Sequence, residues 1–509
     1  MITDSSKFIR IDTDTLSPIS PDGGMWENRL DSYFQYEADG VPKCSVVVCG
    51  YNRLAKTKYC VECIITNTSD IDYELILVDN GSSDGTLEYF QSVDYDKKRI
   101  IHITNNLGLF FATNYAIKYA LGKYIIIIPN DVYVTQKWLL NLLCCYESDP
   151  TIGFVAALSS NVSNLQQYDL VFSNNADMQT NAAEFNQSNS SKWEERMRLI
   201  SLISIYSRDV IDIVGVADPS FVHDFGEDDY AMRLRRNGYR LVLCKDTWVH
   251  HDHDFRNMED KDPSEYQHSL ESGRSIFREK WHGIDAWDDI VNFEQALLAP
   301  IDLHAFISAD ISSLCIDVRC GTPVLEIRNR LRKRGLINVD SYAFTTNAKF
   351  CADLNTNAVC GNDVVCDRID FIQDYYPDNS FDIVALGEPI NTYSKPLTLL
   401  QRLFNFVKPG GLLLLKLRNT NDLNAFMLNT GIGGTADEDM PVQIPLSDFI
   451  ETIKMLNGEV GQIVNESISI SVADKLTVMQ WLKSVNSFAN ESNLNALLVK
   501  NYIFSIKKM

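Results

Sequence analysis

The chain has 509 residues, 45% of them apolar and 22% charged, and its 46 Lys and Arg against 68 Asp and Glu give a net charge of −22. That length predicts two or three domains at the usual ~150 residues each, and the balance is that of a globular protein, which excludes a disordered or fibrous chain. So acidic a surface repels phosphate backbones and anionic lipid, which argues against nucleic-acid or membrane binding through a basic face.

Residues 1–42 are mixed and rich in Asp, Ser and Pro, including SPISPDGG at 17–24, and read as an N-terminal extension that docks on the first domain. The opening MITDSSKFIR lacks the charged-then-apolar layout of a signal peptide, and no apolar run approaches the ~20 residues of a spanning helix. The 12 cysteines follow neither zinc-site nor disulfide-framework spacing, and Cys60 and Cys63 read as a buried structural pair. A reduced, cytoplasmic setting is the expectation.

From Lys43 the pattern becomes strand, turn, helix. Strands are predicted at 44–49, 74–78, 99–104 and 123–128, with helices at 55–66 and 111–121 between them. Such alternation implies a mostly parallel sheet covered on both faces, with ligands bound beyond the carboxyl ends of its strands. The Asn- and Ser-rich stretch 159–192 reads as a long insertion loop, and SGRSIFREKWHG at 272–283 as a helix closing the first unit. A second βα series begins near Ser312 and runs to the end.

Chemistry-bearing residues fall just after the predicted strands. The first strand ends in VVVCGYNR (46–53), placing Tyr51, Asn52 and Arg53 at its exit. The next ends in VDNGSSDGT (78–86), where Asp79 precedes a turn of small residues that lets a ligand approach the backbone closely. NNLGLFFATN follows at 105–114, KYIIIIPNDV at 123–132, FGEDDYAMRLRRNGYRL at 225–241 and TWVHHDHD at 247–254. In the last, His251 and His253 share one face of a strand and His250 takes the other.

Together these segments, over about residues 43–283, resemble the family-2 glycosyltransferases of GT-A fold. The resemblance implies an inverting, metal-dependent transferase that takes its sugar from a nucleotide-sugar. Tyr51, Asn52, Arg53, Asp79, Asn106, Gly108, Asn130 and Asp131 would then line the nucleotide-sugar site, with Arg274 and Lys280 near the diphosphate. The family's acidic metal motif is reduced here to Pro129-Asn130-Asp131, so Asp131 is the expected ligand of Mn²⁺ or Mg²⁺, with His250 as the second metal or phosphate ligand. An inverting transfer needs a carboxylate to take the acceptor proton. Counting forward from Phe225-Gly226 makes that base Asp228; counting back from Arg233 makes it Glu227, with Asp229 as helper.

The second half resembles the class I S-adenosylmethionine-dependent methyltransferases through LCIDVRCGTP (314–323), PDNSFDIV (377–384) and KPGG (408–411). The three glycines of the family's cofactor loop read Arg319, Gly321 and Pro323 here, which argues against cofactor binding, and Asp340 stands as a candidate ribose-binding acid. The expected fold class is α/β: a GT-A, Rossmann-like domain at 43–285, a linker at 286–310 and a non-catalytic methyltransferase-like Rossmann domain at 311–509. The resemblance implies transfer of GlcNAc or another hexose or N-acetylhexosamine, UDP-linked or as dTDP-rhamnose, to a hydroxyl acceptor. The expected acceptor is a Ser or Thr of a flagellin-type bacterial surface protein, with an O-antigen or capsule glycan as the alternative. A bifunctional glycosyltransferase/methyltransferase and a non-catalytic scaffold are the competing readings, and the C-terminal domain is a candidate dimerisation surface.

Overall fold

The structure, a computed structural model, describes residues 7–15, 41–221, 224–253, 263–291, 296–302, 306, 310–361, 363–430 and 441–509. Most of the expected N-terminal extension, including 17–24, and much of the expected linker lie outside the described residues. The chain divides into two compact units, one of Met1–Val291 with Thr356–Ala358 and the other of Asn292–Asn355 with Val359–Met509. Among the described residues no helix is long and apolar enough to cross a membrane.

The first unit is built on a ten-stranded sheet. Its strands in chain order are β1 (Phe8–Ile11), β2 (Cys44–Gly50), β3 (Tyr73–Asn80), β4 (Lys98–Ile103), β5 (Tyr124–Pro129), β6 (Val132–Tyr133), β7 (Ile152–Ser159), β8 (Trp193–Arg196), β9 (Ser204–Ser207) and β10 (Arg240–His251). The spatial order is β1-β4-β3-β2-β5-β9-β7-β10-β6, with β8 against β10. From β1 to β5 every pairing is parallel. Runs such as Val46–Val48 and Leu75–Val78 are wholly buried because helices cover both faces, as continuous apolar strands of a parallel sheet require. The predicted strands and the helices Leu54–Asn67 and Leu109–Tyr119 stand where the hydrophobic pattern puts them. The stretch 159–192 departs from the expected loop: it contains the helix Asn175–Phe185, whose N-cap Asn174 accepts from the Asp177 N–H.

The second unit holds seven strands: β11 (Asp310–Ile316), β12 (Asn338–Thr345), β13 (Val364–Cys366), β14 (Phe381–Leu386), β15 (Val407–Arg418), β16 (Gly458–Ser467) and β17 (Val499–Lys508). They lie in the order β13-β12-β11-β14-β15-β17-β16, parallel from β13 to β15 and antiparallel at β17 and β16. Its core is formed by residues such as Phe344, Leu400, Leu413, Phe449 and Phe504.

Candidate active site

Three strand exits in the first unit, those of β2, β5 and β10, converge on Asp131. After β2 the chain turns through Asn52 (φ 55°) and Arg53 (φ 60°), left-handed conformations that non-glycine residues adopt only when held. Here the holding is visible. Asn52 N–H donates to Ser82 Oγ (2.9 Å), its Oδ1 accepts from Ser83 N–H (2.9 Å), and its carbonyl accepts from Asn130 Nδ2 (3.0 Å). Asn130 also donates to Thr57 Oγ1 (2.8 Å), so its amide is committed inside the protein. Both asparagines, expected to line the nucleotide-sugar site, therefore spend their side chains on the turn that presents Tyr51 and Arg53. Tyr51 is 47% exposed.

The VDNG turn shows why a glycine is needed there. Gly81 has φ +78°, and a Cβ on it would stand 2.7 Å from the Asn105 carbonyl carbon and Asn106 nitrogen. That closeness lets Asn80 donate to Asn106 Oδ1 (2.9 Å) and accept from Leu107 N–H (3.1 Å), while Gly108 N–H donates to Asn106 Oδ1 (2.9 Å). Asp79 at the end of β3 is fully buried, accepting from Ser82 N–H (3.1 Å) and facing His102 Nδ1 at 2.7 Å.

Asp131 itself is buried. His251 Nε2 lies 3.6 Å from its Oδ1, His253 Nδ1 lies 3.7 Å from its Oδ2, and the two imidazole rings are 4.8 Å apart. Arg53 Nη1 lies 3.0 Å from Oδ2. Burial works to raise the Asp131 carboxyl, but the two nearby histidines and the Arg53 charge outweigh it and hold the group well below the usual carboxylate range. One carboxylate and two imidazoles, with ligand atoms within 4.8 Å of one another, form a donor set for a divalent ion. Two nitrogen donors suit Mn²⁺ better than Mg²⁺, which prefers oxygen throughout. The segment carrying the histidines is clamped by Asp252, whose carboxylate is 3.3 Å from Lys56 Nζ and accepts from Tyr133 OH (2.7 Å).

His250, the expected second ligand, points the other way. Its Nδ1 is 2.7 Å from Ser160 Oγ, its ring packs among Phe172, Trp248 and Tyr133, and burial lowers its pKa. The histidines that face Asp131 are His251 and His253.

The three carboxylates at the head of the helix Gly226–Arg236 have separate environments. Asp229 is buried, 3.0 Å from Arg233 Nε and 2.7 Å from Lys280 Nζ, and accepts from Trp281 Nε1 (3.1 Å). Asp228 is buried with Oδ1 2.5 Å from Arg198 Nε, and desolvation outweighs that cation to push its carboxyl up to about 6. Glu227 alone of the three is partly exposed, with Oε1 accepting from Ser201 Oγ (2.8 Å) and Ser201 N–H (3.2 Å). It borders a mostly apolar pocket lined also by Phe110, Ile127, Tyr206 and Val216. Glu227 is thus the carboxylate of the three with access, while Asp228 and Asp229 are held in buried ion pairs.

Sequence reasoning missed what holds Glu227 in place. Gln166, fully buried, accepts from Ile200 N–H (2.7 Å) and donates to Ile200 C=O (3.1 Å), and Asn164 donates to Arg198 C=O (2.9 Å). The polar stretch after β7 therefore straps down the segment that bears both Arg198 and Ser201. Lys280 Nζ is taken up by Asp229 and Asp218, and Arg274 lies 2.7 Å from Asp285 and 2.8 Å from Asp288. Neither cation is brought to Asp131.

Residues 45–211 match the family described as Glycosyl transferase family 2. The N-terminal unit carries a glycosyl transferase family 2 domain. The chain is 30% identical over 102 residues to glycosyltransferase AglE of Haloferax volcanii, covering 19% of this chain and 34% of that protein. It is 35% identical over 102 residues to glycosyltransferase GlyG of Streptococcus pneumoniae, covering 19% and 33%. It is 30% identical over 118 residues to the poly(ribitol-phosphate) beta-glucosyltransferase of Bacillus spizizenii, covering 22% and 19%. The chain thus spans about a third or less of the length of these curated relatives. Among solved structures, the mannosyltransferase PcManGT of Pyrobaculum calidifontis, in complex with GDP-Man and Mn²⁺, is similar at 17% identity and a TM-score of 0.33, covering 46% of this chain and 66% of that one.

In the second unit, the residues at the carboxyl ends of β11, β12 and β14 bond to one another. Asp317 accepts from Thr346 N–H (2.6 Å), Thr346 Oγ1 (2.9 Å) and Tyr393 OH (2.6 Å). Arg319, at φ 48°, pairs with Glu388 at 3.1 Å. Asp340, expected at a strand end facing a ligand, instead lies near the amino end of β12 and is exposed there. The carboxyl end of that strand bears Thr345 and Thr346.

Proposed function

We propose that the N-terminal unit is an inverting, metal-assisted glycosyltransferase of GT-A type that moves a sugar from a nucleotide-sugar to a hydroxyl acceptor. The observation that carries this reading is the meeting of Asp131, inside the family 2 match, with His251 and His253, which follow that match in the chain. These three residues would hold the divalent ion, which supplies neutralising charge to the diphosphate leaving group. Tyr51 and Arg53, presented by the strained turn after β2, bind the nucleotide and its phosphates. Glu227 acts as the base: the acceptor O–H proton passes to its carboxylate, the acceptor oxygen bonds to the anomeric carbon from the face opposite the diphosphate, and the sugar–phosphate C–O bond breaks, sending its electron pair out with the nucleoside diphosphate. Ser201 fixes one Glu227 oxygen and leaves the other for the acceptor. Asp229, Arg233 and Lys280 hold the helix head against which the acceptor docks.

A UDP-linked hexose or N-acetylhexosamine is the proposed donor, and the proposed acceptor is a Ser or Thr hydroxyl of a surface protein such as flagellin, with a surface glycan as the alternative. Release of nucleoside diphosphate from a panel of UDP-, GDP- and dTDP-sugars in Mn²⁺ tests the reading: one donor should turn over slowly with water as acceptor. If no donor is hydrolysed and no nucleotide raises the Tm, the reading fails.

For the second unit we propose a methyltransferase-like fold that has lost its cofactor site. The supporting observation is the strand order: numbered from β11 as one, it runs 3-2-1-4-5-7-6 with strand seven antiparallel. The residues present do not fit S-adenosylmethionine, because Arg319 fills a position that calls for glycine and Asp317 is satisfied by Thr346 and Tyr393. No methyl transfer is assigned to it. Thermal unfolding with millimolar S-adenosylmethionine checks this, since a bound ligand would raise the Tm.

A further inference from the structure

One face of β5 is not closed. β5 lies inside the first sheet between β2 and β9, and Ile126 and Ile128 are fully buried, yet Ile127 between them is only partly so. An inner strand covered on both faces buries such a residue completely. Ile127 instead lines the pocket beside Glu227, with Phe110, Ile117 and Val216 among the other walls. Gly226 sets Phe110 in place: a Cβ on Gly226 would overlap the Phe110 ring, so helix head and ring pack this closely only through glycine. The room left for a further group is about 40 Å³. An apolar cavity that takes a benzene ring is on the order of 150 Å³, so this one suits a methyl-sized group.

The polar side chains of the wall bond within the protein. Thr113 Oγ1 donates to the Phe110 carbonyl (3.0 Å), Asn114 exchanges two bonds with the Ala217 backbone (2.8 and 3.1 Å), and Tyr230 OH donates to the Gly215 carbonyl (3.0 Å). Ser204 is hydrogen-bonded to the Tyr206 hydroxyl, and Ser201 Oγ donates to Glu227 Oε1 (2.8 Å). A sugar hydroxyl placed here would give up its bonds to water for little in return, whereas a hydrocarbon group has none to lose. Among the described residues of the wall, Glu227 is the one carboxylate.

We propose that this pocket receives a methyl group on the carbon that bears the acceptor hydroxyl, so that the enzyme glycosylates threonine in preference to serine. This rests on the reading of Glu227 as the base of a glycosyltransferase. In that reading the acceptor oxygen comes within hydrogen-bond reach of the Glu227 carboxylate, about 2.6–3.2 Å, and a methyl on the adjoining carbon is two bonds from that oxygen. The wall that carries the base therefore lies beside the methyl. Serine and threonine differ at that carbon by this one group. A single such group in an apolar pocket discriminates by about 10–200-fold.

The test is transfer by the full chain, in MnCl₂ and from the donor that the hydrolysis panel identifies, to the peptides Gly-Gly-Thr-Gly-Gly and Gly-Gly-Ser-Gly-Gly. Wild type should show a kcat/KM for the threonine peptide about tenfold or more above that for the serine peptide. Val216→Phe fills the pocket from one wall and Ile117→Phe from another, so that either serves if the other fails to fold. A filled pocket that keeps the wild-type Tm to within a few degrees should bring the two peptides within about twofold, through loss of transfer to threonine. Equal use of both peptides by wild type, transfer to neither while the donor is hydrolysed, or a ratio that neither folded variant moves overturns the assignment and leaves the transferase reading standing. A filled pocket that instead changes which donor is hydrolysed puts the methyl on the donor sugar and also overturns it. Hydrolysis of no donor, with no nucleotide raising the Tm, is failure of the transferase reading itself, and of this assignment with it.

Discussion

His251 Nε2 stands 3.6 Å from Asp131 Oδ1, while the adjacent His250 turns away to Ser160. Consecutive residues of a strand face opposite sides, so only one of the pair can share a metal with Asp131. His251→Ala and His253→Ala are each expected to weaken Mn²⁺ binding by at least about tenfold, comparable to or beyond the loss of an outer-shell partner. His250→Ala should leave Mn²⁺ affinity within about threefold of wild type and instead lower the Tm, through its lost packing against Phe172 and Trp248. Mn²⁺ titration of the three variants checks this.

Glu227→Gln keeps the shape of the side chain and the bonds available to Ser201 but cannot take a proton. Transfer should fall by about 10²–10⁴-fold while nucleotide affinity stays unchanged. Asp228→Asn, at a buried position beside Arg198, should cost far less turnover than Glu227→Gln. Single-turnover rates with the identified donor, alongside nucleotide Kd, separate the two outcomes.

Asp228 gives a pH signature of its own. Burial raises its carboxyl from 3.8 to about 6. Between those values the native state keeps a proton that the unfolded chain has released, so raising the pH through that interval disfavours the native state. The contribution of Asp228 to stability should therefore fall from about pH 4 to pH 6 and stay level above about pH 7. In Tm measurements from pH 4 to 8, Asp228→Asn should gain on wild type across the lower interval and hold a constant difference above it. A gap that does not vary with pH would place the carboxyl in its ionised form throughout.

Gln166 supports Glu227 from a distance. Gln166→Leu leaves the N–H and C=O of Ile200 without their partners, for an expected loss of about 1–3 kcal/mol in urea unfolding. Because Ile200 adjoins Ser201, turnover should also fall while donor KM is unchanged. Ser45→Ala serves as the control: Ser45 is as deeply buried, at the opposite end of its strand, and its loss should affect stability without that drop in turnover.

The fold was readable wherever burial dictates sequence. The apolar runs of β2, β3 and β5 mark strands covered on both faces, and the turn residues after them mark the ligand side. The strand alternation of the histidines was readable too, but not which face meets Asp131. That depends on register, and β10 shifts register against β7 between Arg240 and Leu241 and again between Cys244 and Trp248 before pairing His251 with Val132 of β6. A bulge of that kind leaves no periodic trace. Asn130, Asn52 and Asp79 look like ligands in sequence because turn residues and binding residues are the same polar types; only their partners reveal that they bond inward. The choice among Glu227, Asp228 and Asp229 likewise turned on Arg198 and Ser201, which come from a separate segment of the chain.

The most direct test of the central claim is acceptor-free hydrolysis of the preferred nucleotide-sugar by wild type and Asp131→Ala, in Mn²⁺ and in chelator. Wild type should release nucleoside diphosphate only with the metal present, and Asp131→Ala should release it at the uncatalysed rate in both while keeping its fold by circular dichroism. Equal release by a folded Asp131→Ala in Mn²⁺ would contradict the assignment of Asp131, His251 and His253 as the metal centre of a glycosyltransferase.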